Sequence, residues 1–138
     1  MKAKTYLLQL QTYRREIKTL AEKIEELLTQ AEGVKAIRYD LDRVQTTPEN
    51  RQEAITIRLV EVISKYAAAM VRYHEEVQTR QEQINGLADP VQIEILSLRY
   101  ISGWTLNQIA REKHYSYEWI RHKHGAALQA FQKKYLAR

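Results

Sequence analysis

Apolar residues recur along the first thirty positions at Tyr6, Leu10, Tyr13, Ile17, Leu20, Ile24 and Leu27. The spacings alternate four and three, which is a heptad seam, and its 3.5 period predicts one long helix that packs against another helix. No Pro or Gly interrupts about Ala3–Glu32, and Gly33 is the expected stop. Gly33–Thr47 then mixes Val34, Ile37, Tyr39, Leu41 and Val44 with charges and has no clean period, so it reads as a connector of more than usual length.

A second long helix starts at Thr47-Pro48-Glu49, where Thr47 suits the N-cap, Pro48 the first helical position and Glu49 the positive end of the dipole. It runs to Asn85-Gly86 with a stripe of Ile55, Leu59, Val62, Tyr66, Ala69, Tyr73, Val77 and Ile84, and with Ile63 and Met70 beside it. Residues 1–86 are therefore expected to form an antiparallel, coiled-coil-like helical hairpin. Its narrow core suits pairing with a second copy through Leu10, Ile17, Leu20, Ile24, Leu27, Leu59, Tyr66 and Tyr73. The same pattern also fits a monomeric hairpin packed on its own C-terminal domain.

Residues 87–138 change rhythm. Asp89-Pro90 again pairs an N-cap with a first-turn proline, and Val91, Ile95, Leu98 and Ile101 follow at helical spacing until Ser102-Gly103. Thr105 and Gln108 fit a capping box for a short helix to about Lys113. His114-Tyr115 makes a turn, and Ser116 caps a last helix to about Leu136 with Ile120, Ala127, Leu128, Phe131 and Tyr135 on its apolar face. Three such helices are the plan of a helix-turn-helix domain, and the fold class is all-α. Ala110 supplies the small residue where two helices cross, His114 the turn, and Ile120 the buried aliphatic ten residues after the alanine.

Charge sharpens this plan. Among 138 residues, 22 Lys+Arg and 17 Asp+Glu leave a net +5. Residues 1–110 carry fifteen of each sign, so the whole excess lies in the last 28 residues, with three of the four histidines. A neutral body with a basic end points to a polyanion at that end, and double-stranded DNA is the expected partner. On the last helix Tyr117, Glu118, Arg121 and His122 share the face opposite Ile120, His124, Ala127 and Phe131. They occupy the N-terminal part of a recognition helix, where side chains reach base edges. Arg121 suits guanine through its bidentate fork, and Glu118 can accept from a cytosine amino group. Arg99, Thr105, Arg111, Lys113, Trp119 and Lys123 are candidate phosphate contacts. Arg99 fits an ion pair within the domain equally well, and Trp104 and Trp119 fit a role covering the small core. His124 fits a packed position at the core edge.

Leu98-Arg99-Tyr100, Thr105-Leu106-Asn107-Gln108-Ile109 and the string Ser116, Ile120, Arg121, Ala127, Leu128 resemble the DNA-reading fourth region of sigma-70-type factors. Lys113, His114 and Lys123 depart from that pattern, which commonly has apolar residues at the lysine positions and Gly at the turn. The whole chain is similar to small phage and prophage proteins of Gram-positive bacteria of the ArpU type. The likeness runs through Asp42-Arg43-Val44-Gln45-Thr46, Arg99-Tyr100-Ile101-x-Gly103, and Tyr115-Ser116-Tyr117 to His124-Gly125-x-Ala127-Leu128. That resemblance implies regulation of late-gene transcription in the cytoplasm of a bacterial host. A sigma-like fourth region also contacts RNA polymerase, so a polymerase-binding module is an alternative. A small terminase subunit is another, although those usually place the DNA-binding domain first.

No enzyme is expected, and no cofactor or metal. The chain has no Cys, hence no disulfide, thiolate nucleophile or Cys-based zinc site. His122 and His124 are two apart and diverge on a helix, and no glycine loop or catalytic triad spacing occurs. The longest apolar run, Tyr66–Val71, is far too short to span a bilayer, and no membrane partner is expected.

Overall fold

The computed structural model describes residues 1–37 and 48–137, with side chains from 1–33 and 49–137. The fold is all-α, with no strand among the described residues. Among the described residues five α-helices follow in order: α1 (Ala3–Ile37), α2 (Pro48–Asn85), α3 (Pro90–Leu96), α4 (Leu106–Lys113) and α5 (Tyr117–Phe131). Wide turns of π type, Ser97–Ile101 and Gln132–Leu136, extend α3 and α5.

Gly33 does not stop α1, which continues four residues further. One interior glycine costs a helix only about 1 kcal/mol relative to alanine, and no proline follows to enforce an end. The Thr47 cap, the Asp42–Thr46 stretch and most of the expected connector lie outside the described residues.

Contacts divide the chain into two compact units, one of Met1–Thr12 with Tyr73–Arg138 and one of Tyr13–Arg72, rather than at residue 86. In the first unit the opening turns of α1 complete the C-terminal core. Ala3, Leu7, Ile84, Leu87, Leu96, Tyr100, Ala127 and Phe131 form one buried cluster. The Ala3 amide donates to Gln132 Oε1 at 2.6 Å, and Gln132 Nε2 donates to the Met1 carbonyl at 3.1 Å. Arg80 is only 1% exposed and fastens α1 to α2. Its Nε donates to the Tyr6 carbonyl at 3.0 Å, Nη2 to Gln9 Oε1 at 2.7 Å and Nη1 to the Glu76 carboxylate. The guanidinium also lies 4.0 Å from the centroid of the Tyr6 ring.

A second cluster of Ile95, Ile109, Ala110 and Ile120 joins α3, α4 and α5, covered by Leu106, Trp104 and Trp119. The caps read from the sequence at Asp89, Thr105 and Ser116 are made. Val91 N–H donates to Asp89 Oδ1 at 2.9 Å. Gln108 N–H donates to Thr105 Oγ1 at 3.1 Å while Thr105 N–H donates to Gln108 Oε1 at 2.9 Å. Trp119 N–H donates to Ser116 Oγ at 3.1 Å. His114 adopts the left-handed conformation at φ 60°, and Tyr115 N–H closes the turn on the Ala110 carbonyl at 2.9 Å. Gly103, at φ 80°, permits the reversal after the first π turn, where Trp104 N–H donates to the Leu98 carbonyl at 2.9 Å.

In the second unit the predicted seams are the shielded faces. Leu27, Ala31 and Ala69 are buried, and Ile17, Leu20, Ile24, Ile55, Leu59, Val62 and Tyr66 are half-buried. The Arg72 guanidinium lies 4.9 Å from the centroid of the Tyr13 ring. Ile63 and Met70, expected beside the α2 stripe, are exposed instead.

Arg80→Ala removes a buried donor from three half-buried acceptors, and is expected to cost about 2–4 kcal/mol in urea unfolding. Arg80→Met keeps an apolar stem over Tyr6 and should cost less. Equal stability of Arg80→Ala and the parent chain would contradict the role given to this side chain.

Candidate nucleic-acid interface

Ser116 starts α5 one residue after the turn, which fixes the angular position of everything that follows. Ile120, His124, Ala127 and Phe131 point inward and are buried. Glu118, Arg121 and His122 are exposed on the other face, and Tyr117 is exposed in the first turn, on the side of His124 seven residues later. Glu118, Arg121 and His122 line a shallow open surface with Gly125, Ala126 and Gln129, so small residues extend that face along the helix. Glu118 Oε2 accepts from Arg121 Nη2 at 2.9 Å in an exposed i,i+3 pair, which stores little energy and can open to a competing ligand. Of the four residues read from the sequence as base-reading, Glu118, Arg121 and His122 share this surface, while Tyr117 is exposed beside it in the cleft that His124 also lines.

The six candidate phosphate contacts separate. Arg111 is exposed near the end of α4. Thr105 is exposed, but its hydroxyl already accepts the Gln108 amide. Lys113 Nζ lies 2.8 Å from Glu94 Oε1, and this bond and charge raise its pKa. Arg99 is half-buried, with Nη1 donating to the Trp104 carbonyl at 3.4 Å and its guanidinium 5.4 Å from the Tyr100 ring centroid. These contacts are to a carbonyl and a ring, not to the carboxylate that an ion pair needs. Trp119 is half-buried against the second cluster, as the core reading anticipated. Its ring stacks on Tyr115 at 4.2 Å, and Lys123 Nζ lies 5.5 Å from it.

Beside this surface lies a cleft of about 230 Å³ lined by Lys4, Arg99, Thr105, Asn107, Tyr117 and the edges of Tyr100, Leu106 and His124. It is smaller than the usual small-molecule site of roughly 300–1,000 Å³. Lys4 was not singled out from the sequence, because its place depends on the first turns of α1 joining the C-terminal unit. Tyr115, read as part of the turn, is half exposed. Its partner Trp119, four residues on, is the only signal that the sequence offered.

The floor of the cleft is a buried polar pair, with Tyr100 Oη and His124 Nε2 at 2.8 Å. Burial pushes the Tyr100 hydroxyl up to about 12, partly countered by Arg99. Burial, then the positive charges of Arg99 and Lys4, push His124 down to about 4. Both groups are therefore neutral at pH 7, and the shared hydrogen bond satisfies two polar groups that would otherwise cost stability.

Among the described residues no group of three or more His, Asp or Glu is arranged to hold a metal ion. No helix among them is long and apolar enough to cross a membrane. No protein-family model, curated protein or solved structure matches the chain.

Because His124 takes up a proton near pH 6.5 when unfolded but only near pH 4 when folded, stability is highest above pH 6.5 and falls as pH drops from 6.5 to 4. Below about pH 4 this contribution is gone. Urea unfolding at steps between pH 7 and pH 4 should show that slope, reduced by about one proton in His124→Gln. An unchanged slope in the variant would assign the pH dependence to other groups.

Proposed function

We propose that the chain is a sequence-specific double-stranded-DNA-binding transcriptional regulator that reads the major groove with α5. The observation that carries this reading is the two-sided character of α5. One face is locked by Ile120, Ala127, Phe131 and the His124–Tyr100 pair, while Tyr117, Glu118, Arg121 and His122 stand free at its capped N-terminal end. A rigid helix with polar, bidentate-capable side chains on its first turns is what base-edge reading needs. The net +5 confined to residues 111–138 supplies attraction to phosphates, and Lys4 adds to it from α1. The α3–α4–α5 arrangement supports a helix-turn-helix reading, with Ala110 at the crossing, His114 at the turn and Ile120 beneath. The antiparallel steps Tyr6 to Gln83 and Gln9 to Arg80 support a hairpin of α1 and α2.

A regulator of this kind reads two half-sites as a homodimer in the cytoplasm of a bacterial host. Control of phage or prophage late genes comes from the resemblance to ArpU-type proteins, and the second reading, an RNA polymerase-binding module, from the resemblance to the fourth region of sigma-70-type factors. The exposed Glu118–Arg121 pair gives that second reading a foothold, since a protein surface can accept both charges.

Selection from random DNA at low salt, followed by footprinting, tests the first reading. One enriched site is expected, with affinity falling steeply with salt. Arg121→Ala should weaken that site by about 1–3 kcal/mol and relax one base position, whereas Arg111→Ala and Lys4→Ala should each reduce the salt slope by about one without altering the preferred sequence. Absence of any preference, with polymerase retained by the same chain in a pull-down, would move the assignment to the second reading.

A further inference from the structure

The helix α2 carries two apolar faces, and only one of them is covered. Ile55, Leu59, Val62, Tyr66 and Ala69 form the shielded seam. Turned away from it, Ile57 is 54% exposed, Val60 60%, Ile63 49%, Met70 42% and Val71 59%. Val60, Ile63, Ala67 and Met70 follow at three, four and three residues, which is a second heptad seam on the same helix.

Charge marks this strip as an interface rather than a solvated face. At about 100° per residue, Thr56, Ser64 and His74 fall on it, and the charged residues Arg58, Glu61, Lys65 and Arg72 all fall off it. From Thr56 to His74, a length of roughly 27 Å, the strip carries no Lys, Arg, Asp or Glu in a chain that is 28% charged. Half-exposed side chains of this size leave on the order of 500 Å² of apolar surface open, the upper end of what monomers tolerate and more than half of one partner's share of a standard interface.

We propose that the occupant is a second copy of this chain, docked antiparallel on α2 about a two-fold axis near Ala67. The large residues lie toward both ends of the strip and Ser64 and Ala67 near its middle, so two helices can approach closely where they cross. About that axis Ile63 of one copy meets Met70 and Val71 of the other, and the reverse contact follows by symmetry. Residues 13–72 hold eleven basic and ten acidic side chains, so copies neither repel one another nor attract a polyanion or an anionic lipid surface. This places the self-association surface apart from Leu10, Ile17, Leu20, Ile24, Leu27, Leu59, Tyr66 and Tyr73, the set that the sequence pattern suggested. Leu10 and Leu27 have no exposed surface within a single chain, and the other six are half-buried.

The inference takes up the homodimer of the DNA-reading proposal, but its test uses no DNA, so either can fail alone. Sedimentation equilibrium of the full chain should give twice the 16.3 kDa chain mass at micromolar concentration. The pair Ile63→Glu and Val71→Glu should raise the dimer dissociation constant at least tenfold with helix content by circular dichroism unchanged. The chain has no Cys, which allows a second test on otherwise native protein. Ala67→Cys should form a disulfide-linked dimer under mild oxidation, and Lys65→Cys, on the charged side of the same helix, should do so at least tenfold more slowly. A monomeric parent chain, a dimer unaffected by the folded double variant, or equal cross-linking at both positions would overturn the proposal.

Discussion

A guanidinium that is almost wholly buried must find acceptors in its surroundings, and Arg80 finds them on α1 and on its own helix. Its desolvation would cost several kcal/mol if left unpaired, so the carbonyl of Tyr6, the amide oxygen of Gln9 and the carboxylate of Glu76 are fixed in place by its demand. That demand holds the opening turns of α1 against the closing turns of α2. Once they are held, Ala3 and Leu7 can fill the space between Ile84, Leu96 and Phe131. The C-terminal three-helix unit is therefore completed by residues from the start of the chain. Lys4 reaches the cleft beside Arg99 and Thr105 for the same reason.

The elements were largely legible in the sequence, because each rests on local chemistry. The Thr105/Gln108 capping box, the Ser116 cap and the α3 start at Asp89-Pro90 use side chains one to three residues from the amides they serve. The division into units was not legible. Nothing in the heptad Tyr6, Leu10, Tyr13 distinguishes the turns that join the C-terminal core from those that follow. The difference is made by Arg80, seventy residues away, whose long stem reads on paper as one more solvated charge. Gly33 misled for the opposite reason. Its local cost was real but small beside the propensity of the residues around it.

At the candidate interface the same division recurs. The exposure of Glu118, Arg121 and His122 follows from helical angle alone once Ser116 is known to cap α5 and Ile120 to be buried, whereas Tyr117 lies on the side of His124 and is exposed in the first turn. The roles of Lys113, Arg99 and Trp119 do not, because each depends on a partner from another element: Glu94, the Trp104 carbonyl, and the cluster of Ile95 and Ile109. Lys113, which departs from the sigma-type pattern, is accommodated by that carboxylate on α3. His114, another of the three departures, is accommodated by backbone geometry, taking the left-handed turn that glycine usually takes.

A heptad repeat states that a helix face has a partner, and leaves open whether the partner belongs to the same chain. On α2 the two faces have nearly the same period, and the sequence stripe through Leu59, Tyr66 and Tyr73 was the more conspicuous because it runs the length of the helix. Burial separates them. The longer stripe is shielded within one chain, while the shorter strip of Val60, Ile63, Met70 and Val71 stays open and free of charge. A face that needed only to be soluble would have gathered the charges that α2 places at Arg58, Glu61, Lys65 and Arg72. Their displacement to the far side is the physical reason to look for a partner on this strip, and it distinguishes a surface shaped for association from a seam already satisfied by folding.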